Sequence, residues 1–308
     1  MFKWPETPSP RASKHELADY AELVCWKDNI TSTTVLSADL GRLEENDYSD
    51  GVPEEEEVPR VVEEAYLEIK RREETCRDGY PFVIGEHGYT LHVSQKAGNH
   101  KHIIYKYLLL ATRLKMDKNR KYAGIDGTHL FEELASEAAR EYLGARAQSI
   151  VFGTAAGMAD FPGKVNDLCK RMNEGIRYCN KSGASPNQRD GKLDVVAWKD
   201  FTDGLPGKLI AFGQCKTGTN YKDELTQLQP DSFCDKWLFR NPAVPPVRMF
   251  LISEALSRVG WYDVTCDAGL LFDRCRIVDF CDGISEDVLE KVKAWTEAAA
   301  EGNELPGP

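Results

Sequence analysis

The sequence predicts an α/β protein, with α+β as the alternative: helices packed on a central mixed sheet, preceded by a mainly helical N-terminal region. Three observations predict it. In KHELADYAELVCW the apolar residues Leu17, Tyr20, Ala21 and Val24 recur at helical spacing. Short β-rich runs, among them LDVVAW, LIAFGQC and VRMFLIS, are each too brief for a helix and are flanked by turn-forming residues. From Thr128 onward such runs are mixed with amphipathic segments. The chain has 308 residues, 42% of them hydrophobic, enough to bury the core of one large domain or two ordinary ones.

Taken in order, the first helix lies in KHELADYAELVCW, and GRLEENDYSDGVPEEEEVPR, with two prolines and two glycines, reads as a surface connector. A second helix is expected from about Val61 to Cys76. YPFVIG and YTLHV are short β segments, and a helix from His102 to Leu114 follows. A boundary near Tyr122 to Asp126 divides the chain into 1–123, a recognition or partner-binding region, and 124–308. Thr128 is placed to cap the helix THLFEELASEAAREYLG, which Gly144 ends. Next come a strand around SIVFG, a helix around KVNDLCKRMNEG, the polar loop NKSGASPNQRDG and a pair of strands joined by a glycine-rich bend. VRMFLIS, GLLFDR and RIVDF are read as three more strands. SEDVLEKVKAWTEAAA is a terminal helix opened by Ser285.

Composition narrows the function. The start MFKWPETPSP has no apolar core of signal-peptide length, and the run IIYKYLLLA is interrupted by Lys106, so a cytoplasmic protein with no membrane span is expected. Nine cysteines form no CxxC pair, and an odd number cannot close a complete disulfide framework. The net charge of −11 argues against a general nucleic-acid coat. It does not argue against a nuclease, because charge is uneven. Glu44 to Glu57 holds eight acids and no base, whereas Lys96 to Lys121 holds eight bases and one acid. Lys115, Lys118, Arg120 and Lys121 are therefore candidate DNA contacts.

The chemistry concentrates in GKLDVVAWKDFTDGLPGKLIAFGQCK. Alternation along a strand puts Gln214 and Lys216 on one face and Cys215 on the other, and a hairpin can bring Asp194 beside them. An acid, an amide and a lysine at the ends of two strands suit metal-assisted phosphodiester hydrolysis. On a helical wheel of about 100 degrees per residue, Phe131, Ala135, Ala138 and Tyr142 define a buried face. Glu132 flanks that face, while Glu133 and Glu137 point away, which makes Glu132 the better site acid.

The ordered set Phe131-Glu132, Asp190-Gly191-Lys192-Leu193-Asp194 and Gln214-Cys215-Lys216 resembles the PD-(D/E)xK nuclease superfamily, within it the Mrr-type restriction endonucleases. The resemblance covers roughly Gly127 to Ile252. It implies a restriction-endonuclease-like domain over 124–308 that cleaves DNA with Mg²⁺, for which Mn²⁺ substitutes. Glu132, Asp194, Gln214 and Lys216 would be catalytic, with metal held by Glu132, Asp194 and the Cys215 backbone carbonyl. Asp190 would support the loop, and Lys216 would orient the attacking water. Gln214 replaces the commoner acid, which leaves the number of metal ions open. The implied setting is bacterial restriction or anti-phage defence, by a homodimer or with a companion defence protein. RNA cleavage and a catalytically inactive binding module are the alternatives. His100 and His102 lack further ligands nearby and read as surface, and Trp198 and Trp261 as core or groove wall. A Cys215 nucleophile lacks a convincing histidine and asparagine context.

Overall fold

The computed structural model describes residues 2–9, 11–44, 57–95, 99–153, 160–181, 183 and 192–307. The first part contains α1 (Lys14–Asp28), β1 (Ile30–Ser32), α2 (Thr33–Glu44), α3 (Glu57–Cys76), β2 (Phe82–Ile84), β3 (Thr90–Val93) and α4 (His100–Arg113). A two-stranded hairpin, β4 (Lys121–Tyr122) and β5 (Ile125–Asp126), leads into α5 (Gly127–Leu143). Then follow β6 (Ala147–Val151), α6 (Phe161–Met172), β7 (Val195–Lys199), β8 (Leu209–Lys216), α7 (Pro230–Trp237) and β9 (Val247–Ile252). The chain closes with α8 (Trp261–Ala268), β10 (Leu270–Phe272), α9 (Arg274–Asp279) and α10 (Glu286–Glu301).

The central sheet has five strands in the order β10-β9-β8-β7-β6. β6, β7 and β8 form an antiparallel meander, and β9 and β10 run parallel to β8. Side chains alternate between the faces as the strand period of two requires. Val195, Ala197, Ala211, Met249 and Leu251 face the core shared with α1, α4, α5 and α10, whereas Val196, Trp198, Ile210 and Phe212 face α6 and α7. Helices thus cover both sides of a mixed sheet. β1, β2 and β3 form a separate small antiparallel sheet beside α1 and α3. One apolar cluster runs from Leu23 of α1 and Leu108 of α4 to Leu251 of β9 and Trp295 of α10. The expected 123/124 boundary falls in the turn between β4 and β5, and this core crosses it.

Sequence and structure part at several places. The ends of the expected connector, residues 41–44 and 57–60, are helical as parts of α2 and α3, and the rest of it lies outside the described residues. RIVDF, read as a strand, is helical: Asp273 caps α9 by accepting from the Arg276 amide (3.1 Å), and Cys275, Ile277 and Val278 are buried. That local cap outweighs the β preference of Ile and Val. α5 is capped by Asp126 rather than Thr128, whose amide and hydroxyl both donate to the Asp126 carboxylate (3.0 and 2.6 Å). Tyr142 is 41% exposed and packs by its ring edges on Phe272 and Phe280 instead of joining the buried face.

Inside the helical part lies a buried ionic cluster. Asp19 accepts from Arg72 (2.7 Å), Arg113 (2.6 Å) and Arg274 (2.8 Å), so four helices, α1, α3, α4 and α9, are tied at one point. Glu22 accepts from Arg72 (2.9 Å) and from the hydroxyls of Tyr80 and Tyr105 (both 2.8 Å). Burial alone would raise the Asp19 carboxyl, but Arg274, Arg113 and Arg72 hold it far below the usual carboxylate range. Among the described residues no helix is long and apolar enough to cross a membrane.

Candidate active site

β7 and β8 pair with Val195 opposite Gly213, so Asp194 and Gln214 come together just past the register, at the end where Lys216 closes β8. The Asp194 amide donates to the Gly213 carbonyl (2.9 Å), and the Asp194 carbonyl accepts from the amides of Phe152 (2.7 Å) and Gly153 (3.1 Å). Asp194 is therefore fixed on both sides. Its carboxylate accepts from the Cys215 backbone amide at 2.8 Å. Lys216 is anchored in turn by β9, whose following residue Ser253 donates its amide to the Lys216 carbonyl (3.2 Å).

Gln214 is 2% exposed, and its amide nitrogen donates weakly to Glu224 Oε2 (3.5 Å). Its Oε1 is buried without a hydrogen-bond partner. A buried amide oxygen with no donor is costly unless something else meets it. Lys216 pairs with the other oxygen of Glu224. Glu224 thus holds both even-numbered residues of the motif. Sequence reasoning missed it, because it sits on the short 3₁₀ turn Lys222–Glu224, where no hydrophobic period marks a face.

Glu132 reaches this end from α5 across Gly153. A Cβ on Gly153 would lie 2.7 Å from Glu132 Oε2, so a larger residue there would push the carboxylate aside. Glu133 and Glu137 instead face α10, pairing with Lys291 (3.0 Å) and accepting from the Ser285 hydroxyl. Lys164 of α6 donates to the Gly153 carbonyl (2.7 Å) and brings a second cation near the site. Cys215 packs toward the core on the face away from Gln214. Burial first, then the Asp194 and Glu132 carboxylates, push its thiol well above the usual range, which disfavours a thiolate.

Glu132, Asp194, Gln214, the Cys215 backbone and Lys216 are thus gathered at one end of the sheet. Asp190 lies outside the described residues, as does Lys96 of the basic stretch. Lys115, Lys118, Arg120 and Lys121 occupy the segment from the end of α4 to β4. Two of them are already paired, Lys115 with Glu6 (3.0 Å) and Arg120 with Asp126 (2.9 Å). The end of α4 lies against the same sheet end, where the Thr112 hydroxyl donates to the Ser253 hydroxyl (3.0 Å). Among the described residues no three His, Cys, Asp or Glu side chains group as a metal cage. His100 and His102 each turn Nε2 onto a backbone carbonyl, of Cys281 (2.8 Å) and Asp78 (2.9 Å).

The donors at the sheet end are oxygens: two carboxylates and the amide oxygen of Gln214. That set fits a hard divalent cation that keeps part of its water shell, and the partnerless Gln214 oxygen is where the fit is most specific. No family model matches the chain, and no curated protein or solved structure matches it.

Proposed function

We propose that this chain is a metal-dependent DNA endonuclease with a restriction-endonuclease-like domain, working in cytoplasmic anti-phage defence as a homodimer or with a companion protein. The observation that carries the reading is the buried, partnerless Gln214 oxygen beside Asp194, with Lys216 on the same strand face. The order of elements supports it as well: Glu132 on a helix, Asp194 leading one strand and Gln214-Cys215-Lys216 ending the next.

Asp194, Gln214 and Glu132 would hold Mg²⁺, or Mn²⁺ in its place, with the Cys215 carbonyl. Bound there, the ion supplies Lewis-acid stabilisation of the phosphoryl oxygens and lowers the pKa of water. Lys216 orients the attacking water and meets the scissile phosphate once Glu224 yields its ammonium. Glu224 keeps Lys216 and Gln214 in place between turnovers. Cys215 takes no chemical part through its sulfur. The basic stretch from Lys115 to Lys121, which follows α4, would serve as a phosphate-contacting rim.

The Lys216–Glu224 pair also favours one rival, an inactive module in which the lysine is permanently neutralised. Incubation with linear, supercoiled and single-stranded DNA and with RNA, each with Mg²⁺ or EDTA, separates the readings. The nuclease cuts DNA only with the metal and loses cleavage in a folded Asp194→Ala variant. Absence of cutting on every substrate leaves the rival, and cutting of RNA alone replaces the substrate.

A further inference from the structure

We propose that the cavity at the N-terminal end of α4 binds a phosphate-bearing small molecule, at a site separate from the one at the sheet end. The cavity has a volume of about 500 Å³, and its walls include Trp26, Gln95, His100, His102, Ile103 and Lys106. In a chain with 50 acids against 39 bases, no Asp or Glu among the described residues lines it.

Lys106 makes the case. Three lysines are buried among the described residues, and two have carboxylate partners: Lys101 with Asp282 (2.9 Å) and Lys208 with Asp200 (2.6 Å). Lys106, only 5% exposed, has neither a carboxylate nor a hydrogen-bond acceptor among the described residues. Its ammonium lies 4.7 Å from the centroid of the Trp26 ring. A cation–π contact offsets only part of the cost of burying an isolated ammonium. Burial accordingly pushes Lys106 down to about 8.

The helix that carries Lys106 adds to the field. Asn99 caps α4 by accepting from the Lys101 amide (3.0 Å), and the first turn points its partial positive charge into the same space. His100 and His102, each hydrogen-bonded to a backbone carbonyl, form held walls of the cavity. The cavity is larger than a bare ion needs and is partly walled by Val93, Ile103 and Pro81. A phosphate monoester with a small apolar body matches that combination of one buried cation, a helix N-terminus and apolar walls.

Calorimetric titration of the full chain with phenyl phosphate at low salt, with phenol in parallel, tests this. The wild type is expected to bind phenyl phosphate and not phenol, and Lys106→Met to weaken binding at least about tenfold. Without ligand Lys106→Met should melt higher than the wild type, since an unpaired buried charge gives way to an apolar side chain of similar length. Gln95→Glu, at the exposed rim, should also weaken binding, and it serves if Lys106→Met does not fold. No binding by the wild type, equal binding of phenol, or undiminished binding in both variants overturns the proposal.

Discussion

At the residue scale, the side chains around Asp194 divide into those expected to touch substrate or metal and those that hold them. Asp194→Ala and Lys216→Ala are expected to abolish metal-dependent cleavage while circular dichroism stays native. Glu224→Gln leaves the shape but removes the charge that positions Lys216, and it should lower cleavage about 10- to 100-fold, the usual effect of losing a supporting partner. Cys215→Ala should cleave nearly normally and lose about 1–2 kcal/mol of stability from the vacated core volume. An inactive but folded Cys215→Ala would remove the metal-site reading. The alternation of LIAFGQCK made Gln214 and Lys216 legible as a pair, and the wheel separated Glu132 from Glu133 and Glu137. Glu224 and Lys164 were not legible, because the fold brings them in from a turn and from a helix across the sheet.

Between elements, the buried ionic cluster fixes how α1, α3, α4 and α9 cross. None of it was legible in the sequence. Arg274 stands 255 positions from Asp19, and no local pattern relates residues so far apart. Asp19→Ala leaves three guanidiniums short of their shared carboxylate and should cost about 3–5 kcal/mol, measured by urea unfolding. Glu254, just past β9, gives a prediction of known sign. Burial raises its carboxyl from 4.5 to about 7, against the pull of Arg113. Between those values the folded chain holds a proton that the unfolded chain has released, so stability falls as pH rises through that window. Glu254→Gln should flatten this slope between pH 5 and 7, and an unchanged slope would show that another group is responsible. The misread α9 teaches the same lesson as the cluster: RIVDF has β-forming letters, but Asp273 caps it and Arg274 is pinned from two other helices, by Asp19 and Glu22 of α1 and Thr112 of α4.

For the whole molecule, the division at 123/124 matches a change in sequence character, yet the apolar cluster spans it. Leu108, Tyr107 and Trp295 belong to one packed body, with Tyr107 and Trp295 meeting edge to face at 5.1 Å. A fragment of residues 124–308 alone would expose that surface, and it is expected to aggregate or unfold without a cooperative transition. A sharp two-state melt of the isolated fragment would show that the N-terminal part is dispensable for folding. The hydrogen bond from the Cys215 amide to the Asp194 carboxylate has a spectroscopic consequence. An amide proton aimed at a carboxylate shifts downfield in proportion to the charge it faces. In a ¹⁵N–¹H spectrum the Cys215 peak therefore reads Asp194 directly, moving upfield when acid protonates the carboxylate or a cation draws its charge away, whether or not any substrate is ever cut.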